Sequence, residues 1–201
     1  MTYETFVLST VLQWAGIGYL LGSIPFGLLL AKLMGLGNLR EIGSGNIGAT
    51  NVLRTGNKLA AALTLLLDAG KGVVAVLLGK AAGGDLGLIA GLFAMLGHCF
   101  PVWLRFAGGK GVATFLGIVL ALNFWTGLAA CAAWLAGAFA TRISSMGALV
   151  SSAAAIPFAY FLDSGKTAVY VALMAALVYW RHRANISRIR AGTEPKIGQK
   201  K

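Results

Sequence analysis

Three stretches of this 201-residue chain hold most of the side chains able to bind or activate a small molecule. The first reads Gly37-Asn38-Leu39-Arg40-Glu41-Ile42-Gly43-Ser44-Gly45-Asn46-Ile47-Gly48-Ala49-Thr50-Asn51-Val52-Leu53-Arg54. Closely spaced glycines let successive backbone N–H groups turn toward one point, and such a concavity beside Arg54 suits a phosphate or a carboxylate. The same stretch also reads as a solvated loop in which Ser44 or Asn46 caps a helix. The second runs from His98-Cys99-Phe100-Pro101 to Gly108-Gly109-Lys110-Gly111-Val112-Ala113-Thr114. Gly-Gly-Lys-Gly is not a P-loop, because Gly111 rather than Ser or Thr follows the lysine, so no nucleotide is implied. It reads either as a lysine held over a phosphate by compliant backbone or as a basic turn. The third is Trp180-Arg181-His182-Arg183-Ala184-Asn185-Ile186-Ser187-Arg188, followed by Gly192 and Glu194. On a continuing helix His182, Asn185 and Arg188 share one face, which would bring a titratable imidazole and an amide to a common place. Interfacial anchoring to anionic lipid is the plainer account of the same charges.

Other chemistries find less support. Asp68 and Lys71 stand three residues apart inside an apolar run, where either charge alone would be costly, so they are expected to pair for a structural purpose. Cys99 and Cys131 sit in apolar surroundings as packing residues. No cluster of aspartates offers itself to a metal, and neither metal nor cofactor is implied. A His with Asp five positions later, as in acyltransferases using acyl-CoA or acyl carrier protein, is missing: Trp103 and Ser187 occupy those positions.

The elements that must hold these residues are membrane helices. Hydrophobic residues make up 58% of the chain and charged ones 11%, with a mean hydropathy of +0.78, against roughly 25% charged in soluble domains. Apolar runs lie at Leu8–Ala31, Leu59–Leu78, Leu86–Leu104, Val112–Ala140, Met146–Leu162 and Ala168–Trp180. The fourth is too long for one crossing of about 20 residues and has a turn-prone break around Asn123 to Gly127; it reads as two short spans of about 13 residues or as a re-entrant hairpin. Met1 to Thr5 carries Glu4 and no basic residue, so the first run is expected to stay in the protein rather than be cleaved as a leader.

Net charge is +11, and its placement matters more than its size. With the fourth run folded back, Lys80 and Lys166 fall on one side and Lys71 inside a span. All other Lys and Arg, from Lys32 to Lys200 and Lys201, collect on the opposite side, in loops 32–58, 105–111 and 141–145 and the tail 181–201. By the positive-inside rule that side is cytoplasmic. The expectation is an all-α polytopic membrane protein: one domain over 1–201, a single bundle of about seven helices, some short, N-terminus outside and C-terminus cytoplasmic. A nucleic-acid partner is disfavoured because the basic residues flank apolar spans. A small anion transporter would place its site near the midplane, often between inverted repeats; here the candidate residues favour one face and no repeat is evident.

Taken together and in this order, the three stretches resemble the PlsY family, bacterial inner-membrane acyltransferases that move an acyl group from acyl phosphate to glycerol 3-phosphate. The resemblance covers nearly the whole chain and implies a seven-helix fold. It implies that Ser44, Thr50 and Arg54, with Asn46 and Asn51 in support, belong to the first motif, and that Gly108, Gly109, Lys110 and Gly111 form the glycerol-phosphate loop. His182 and Asn185 would be needed for turnover, Arg188 and Glu194 would support them, and Thr50 and Ser145 would lie near the acyl phosphate, Ser145 in a segment that follows the usual pattern only loosely. It further implies coupling to an enzyme that makes acyl phosphate. Such a donor is a mixed anhydride, already activated, so proximity and charge screening would dominate catalysis. His182 would take the hydroxyl proton, or an acyl-phosphate oxygen would.

Overall fold

The computed structural model describes residues 3–198, and among these every regular element is a helix. Lys200 and Lys201, counted above with the basic tail, lie outside the described residues. The helices are α1 (Tyr3–Gly22), α2 (Phe26–Leu33), α3 (Ala49–Leu53), α4 (Lys58–Ala82), α5 (Leu86–Cys99), α6 (Val112–Leu122), α7 (Phe124–Thr141), α8 (Ser144–Leu162), α9 (Gly165–Arg181) and α10 (Arg183–Arg190), with a 3-10 turn at Val102–Leu104. Five stretches are long and apolar enough to cross a membrane: Glu4–Leu33, Lys58–Ala82, Leu86–Leu104, Phe124–Thr141 and Ser144–Leu162. The chain is thus an all-helical, multi-pass membrane protein. It divides into two compact units, residues 1–122 and 123–201.

In the first unit helices meet through glycine. A Cβ on Gly18 would strike the backbone of Ala90, one on Gly22 that of Ala94, and one on Gly97 the carbonyl of Tyr19, so α1 and α5 touch main chain to main chain. Gly79 does the same against Leu86, and Gly117 against Ala69. Without a hydrophobic drive between helices in lipid, such close approach is what packing has to work with. The first apolar run is not one helix: it breaks at Ser23-Ile24-Pro25, where proline has no N–H to continue the ladder. α5 ends at Phe100, whose helical conformation Pro101 disfavours. Arg105 and Phe106 then take left-handed backbone, φ 51° and 63°, and turn the chain back toward α6. Beside α4, residues Ala31, Leu39, Val52, Ala60 and Ala61 form a small apolar core under the first glycine-rich loop.

In the second unit α7 and α8 run antiparallel: Asn123 Nδ2 donates to Leu162 O (3.1 Å) at one end, and Gly137 meets Gly147 near the other. The expected break in the fourth run falls at a single residue. Asn123 caps α7 by accepting from Thr126 N–H, so Thr126 and Gly127 are helical and the pieces are 11 and 18 residues, not two of about 13. After α10, Gly192 (φ +70°) reverses the tail, and Ile197 N–H donates to Arg142 O at 2.7 Å in the turn between α7 and α8.

Candidate functional site

The polar residues gather into one cluster in each unit. In the first unit the loop after α2 is organised by Asn51, which is 1% exposed. Its Nδ2 donates to Leu39 O (2.8 Å), while Oδ1 accepts from Ser44 N–H (3.1 Å), Ser44 Oγ (3.3 Å) and Arg54 Nη1 (3.2 Å). One buried amide therefore fixes both a serine and an arginine at the loop's exposed edge. Gly43 (φ +54°) makes this possible, since a Cβ there would press on Asn51 Oδ1 and on Arg54. Neither Ser44 nor Asn46 caps a helix: the N-cap of α3 is Gly48. Thr50 lies exposed on α3.

The second glycine-rich loop lies beside the first, joined by Arg40 Nη2 donating to Ala107 O at 2.5 Å. Gly108 and Gly109 are folded onto the end of α5 by N–H bonds to Cys99 O (3.2 Å) and His98 O (3.1 Å). A Cβ on Gly108 would meet that same carbonyl of His98, and one on Gly109 the His98 ring. Gly111 (φ +80°) turns into α6, and Lys110 between them is half-buried. Compliant backbone, a guanidinium and an ammonium group make this edge suited to an anion.

In the second unit Glu194 is the organiser. Its Oε1 accepts from Ser145 Oγ (2.7 Å) and Asn185 Nδ2 (2.5 Å), and its Oε2 from Arg188 Nε (2.7 Å). Burial raises the carboxyl's pKa, but the bonds from Asn185, Ser145 and Arg188 and the guanidinium charge outweigh it and hold the group below its ordinary 4.5. His182, 3% exposed, sits at the junction of α9 and α10. Its Nδ1 is 2.8 Å from Val178 O; a carbonyl only accepts, so Nδ1 carries the hydrogen and Nε2 is the acceptor nitrogen of the neutral ring.

The structure thus brings Ser44, Asn51, Arg54 and the Gly108–Gly111 loop into one unit, and Ser145, His182, Asn185, Arg188 and Glu194 into the other. Ser145 directs its hydroxyl at Glu194. The role of Arg40 as the tie between loops had no sequence signal beyond its being one arginine among several. That His98 and Thr114 meet the Asp68–Lys71 pair was equally hidden, because 30 residues separate His98 from Asp68 in the chain.

A sequence profile for the family described as Glycerol-3-phosphate acyltransferase matches residues 12–192. Among relatives bearing that name, one from Roseobacter denitrificans is 76% identical over 189 residues, 94% of each chain. Another from Ruegeria pomeroyi is 61% identical over 191 residues, again 94% of each. Among solved structures, the glycerol 3-phosphate form of PlsY, an integral membrane glycerol 3-phosphate acyltransferase, superposes with a TM-score of 0.88 at 37% identity, covering 94% of this chain and 96% of that one. Its lysophosphatidic acid form gives 0.87 at 36%.

Proposed function

The chain belongs to the glycerol-3-phosphate acyltransferase family, and on that premise we propose that it transfers a fatty acyl group from acyl phosphate to the 1-hydroxyl of glycerol 3-phosphate. The products are 1-acyl-glycerol 3-phosphate, that is lysophosphatidic acid, and inorganic phosphate. The observation that carries the reading is the likeness, over nearly the full chain, to a structure solved with this acceptor and again with this product. We place the enzyme in the bacterial inner membrane as a single domain of about seven transmembrane helices, N-terminus outside, with the basic loops and tail on the cytoplasmic side.

In the proposed reaction the hydroxyl oxygen bonds to the acyl carbon, the carbon–oxygen bond to phosphate breaks, and the hydroxyl proton leaves with a base. Both substrates are anions, so the first requirement is to screen their repulsion. Arg54, steadied by Asn51, and Lys110 supply that screening, Ser44 and Thr50 adding hydroxyls. The glycine-rich loop takes the phosphate of glycerol 3-phosphate. The base for the hydroxyl proton in this reading is His182, through its acceptor nitrogen Nε2. Asn185, Ser145 and Arg188, locked to Glu194, hold their donors in fixed directions. An enzyme that makes acyl phosphate must supply the donor.

Purified protein in detergent, given long-chain acyl phosphate and glycerol 3-phosphate, is expected to form lysophosphatidic acid. His182→Ala and Lys110→Ala should lose that activity, and acyl-CoA should not replace the donor. A folded wild type giving no product would refute the reading and favour anion transport.

A further inference from the structure

Beneath the second glycine-rich loop lies a polar cluster that the reaction above does not use. Asp68 and Lys71 of α4 are 3% and 5% exposed, inside a stretch apolar enough to span a membrane. Lys71 Nζ donates to Asp68 Oδ1 (2.7 Å) and to Ile24 O (2.8 Å), a carbonyl in the break between α1 and α2. Thr114 Oγ1 donates to Asp68 O (2.8 Å) and lies 3.2 Å from His98 Nδ1, which is itself 3.7 Å from Asp68 Oδ1. Because the threonine hydrogen is committed to Asp68 O, its oxygen accepts from His98, and Nδ1 carries the hydrogen. The ring is thereby oriented with Nε2 against Gly109, so close that no Cβ fits between them.

A buried ion pair is poor insurance for stability, since apolar residues of similar volume usually do as well or better. What this cluster specifies is direction. Each of its arms ends at backbone or at a loop: Ile24 at a helix break, Asp68 O on α4, and the His98 face under Gly109. We propose that Asp68, Lys71, His98 and Thr114 form a positioning device that sets the Gly109–Lys110 backbone for the phosphate of glycerol 3-phosphate. It rests on the reading that this loop binds that phosphate. The four residues position the loop and do not touch the reacting atoms. They should therefore govern the acceptor and leave the acyl donor alone.

The test compares wild type with His98→Leu, with His98→Asn, which keeps a donor near the Nδ1 position, and with the charge-free double variant Asp68→Leu/Lys71→Leu. Three quantities are measured in detergent: the Kd of glycerol 3-phosphate by calorimetry, the KM of each substrate, and the melting temperature. His98→Leu is expected to weaken glycerol 3-phosphate binding by about 10- to 100-fold, the scale of a misplaced binding group, with His98→Asn recovering part of it. The double variant should melt at or above the wild-type temperature yet bind the acceptor about 10-fold more weakly. Acyl-phosphate KM should stay within about twofold throughout. The proposal is overturned if the double variant binds glycerol 3-phosphate as tightly as wild type, or if both KM values move together. Calorimetry keeps this separate from the acyl-transfer reading: weaker acceptor binding in a wild-type background that makes no product would sink that reading alone, whereas full turnover with unchanged binding in the variants would sink this one alone.

Discussion

Replacing Glu194 by Gln removes a charge and one acceptor from a site where three donors converge. The carboxylate accepts from Ser145, Asn185 and Arg188, and an amide has only one oxygen. If its NH2 faces Arg188, two donors oppose each other. If it faces the other side, Asn185 must flip and present its own oxygen, so the group this residue offers is inverted. A charge-assisted hydrogen bond in a buried setting contributes about 1.5–3 kcal/mol, but the Arg188 side chain is 38% exposed, which reduces its share. The expected loss of stability is therefore about 1–2 kcal/mol. Misplacing Asn185 should lower kcat by about 10- to 100-fold, equivalent to about 1.4–2.7 kcal/mol in the barrier. Initial rates of lysophosphatidic acid formation, with melting in detergent as control, read both. A Glu194→Gln enzyme with kcat within about twofold of wild type would refute the argument that this carboxylate aims the donors. The pH dependence follows from the same bonds. The folded carboxyl titrates below its ordinary value of 4.5. Its stabilisation is thus complete above that value and is lost as pH falls through the depressed folded value, so melting should show the full Glu194 contribution, and no pH dependence from it, between about pH 6 and 8.

Asn51→Ala should raise the KM for glycerol 3-phosphate and cost about 1–3 kcal/mol, because Leu39 O loses its shorter bond and keeps only that from Ile42 N–H at 3.4 Å, while Ser44 and Arg54 lose their common acceptor; steady-state kinetics with thermal unfolding would show it. Lys80→Met removes the ammonium that Ala121 O and Leu122 O share at 2.8 and 2.6 Å, so α6 loses its C-terminal cap. Melting should fall by the equivalent of about 0.5–1 kcal/mol while turnover is unchanged. Gly22→Leu forces a side chain into the backbone of Ala94 and should cost about 1–3 kcal/mol or more, seen as loss of the monodisperse peak on size exclusion.

Hydropathy located the helices well, because lipid-facing segments must be apolar along their whole length, and each expected apolar run is helical. It placed their interruptions less well. Leu8–Ala31 reads as continuous since Ser23 and Pro25 barely change its average hydropathy, yet Pro25 ends α1's hydrogen-bond ladder. The break near Asn123 was legible from its polarity, but its position at one capping residue was not. The Asp68–Lys71 pair was readable from a three-residue spacing on one helix. Ser145 and Glu194 lie 49 residues apart, and no spacing rule joins them; the resemblance to a family named both residues but in separate roles, and their contact is visible only in the structure. Asn51 stood out no more than its polar neighbours, because its importance lies in being buried, which composition does not reveal.

The contact between α1 and α5 bears on how a hydrocarbon tail travels. Where Gly18 and Gly22 lie on Ala90 and Ala94, main chain meets main chain, and no long side chain stands between them that could swing aside. Opening that seam would mean parting whole helices. A fatty tail arriving from the surrounding lipid, or leaving into it, is therefore shut out along that line. Its sideways passage has to follow a boundary lined by larger side chains that can change rotamer, so the direction of lipid traffic through this protein is constrained by where its glycines are.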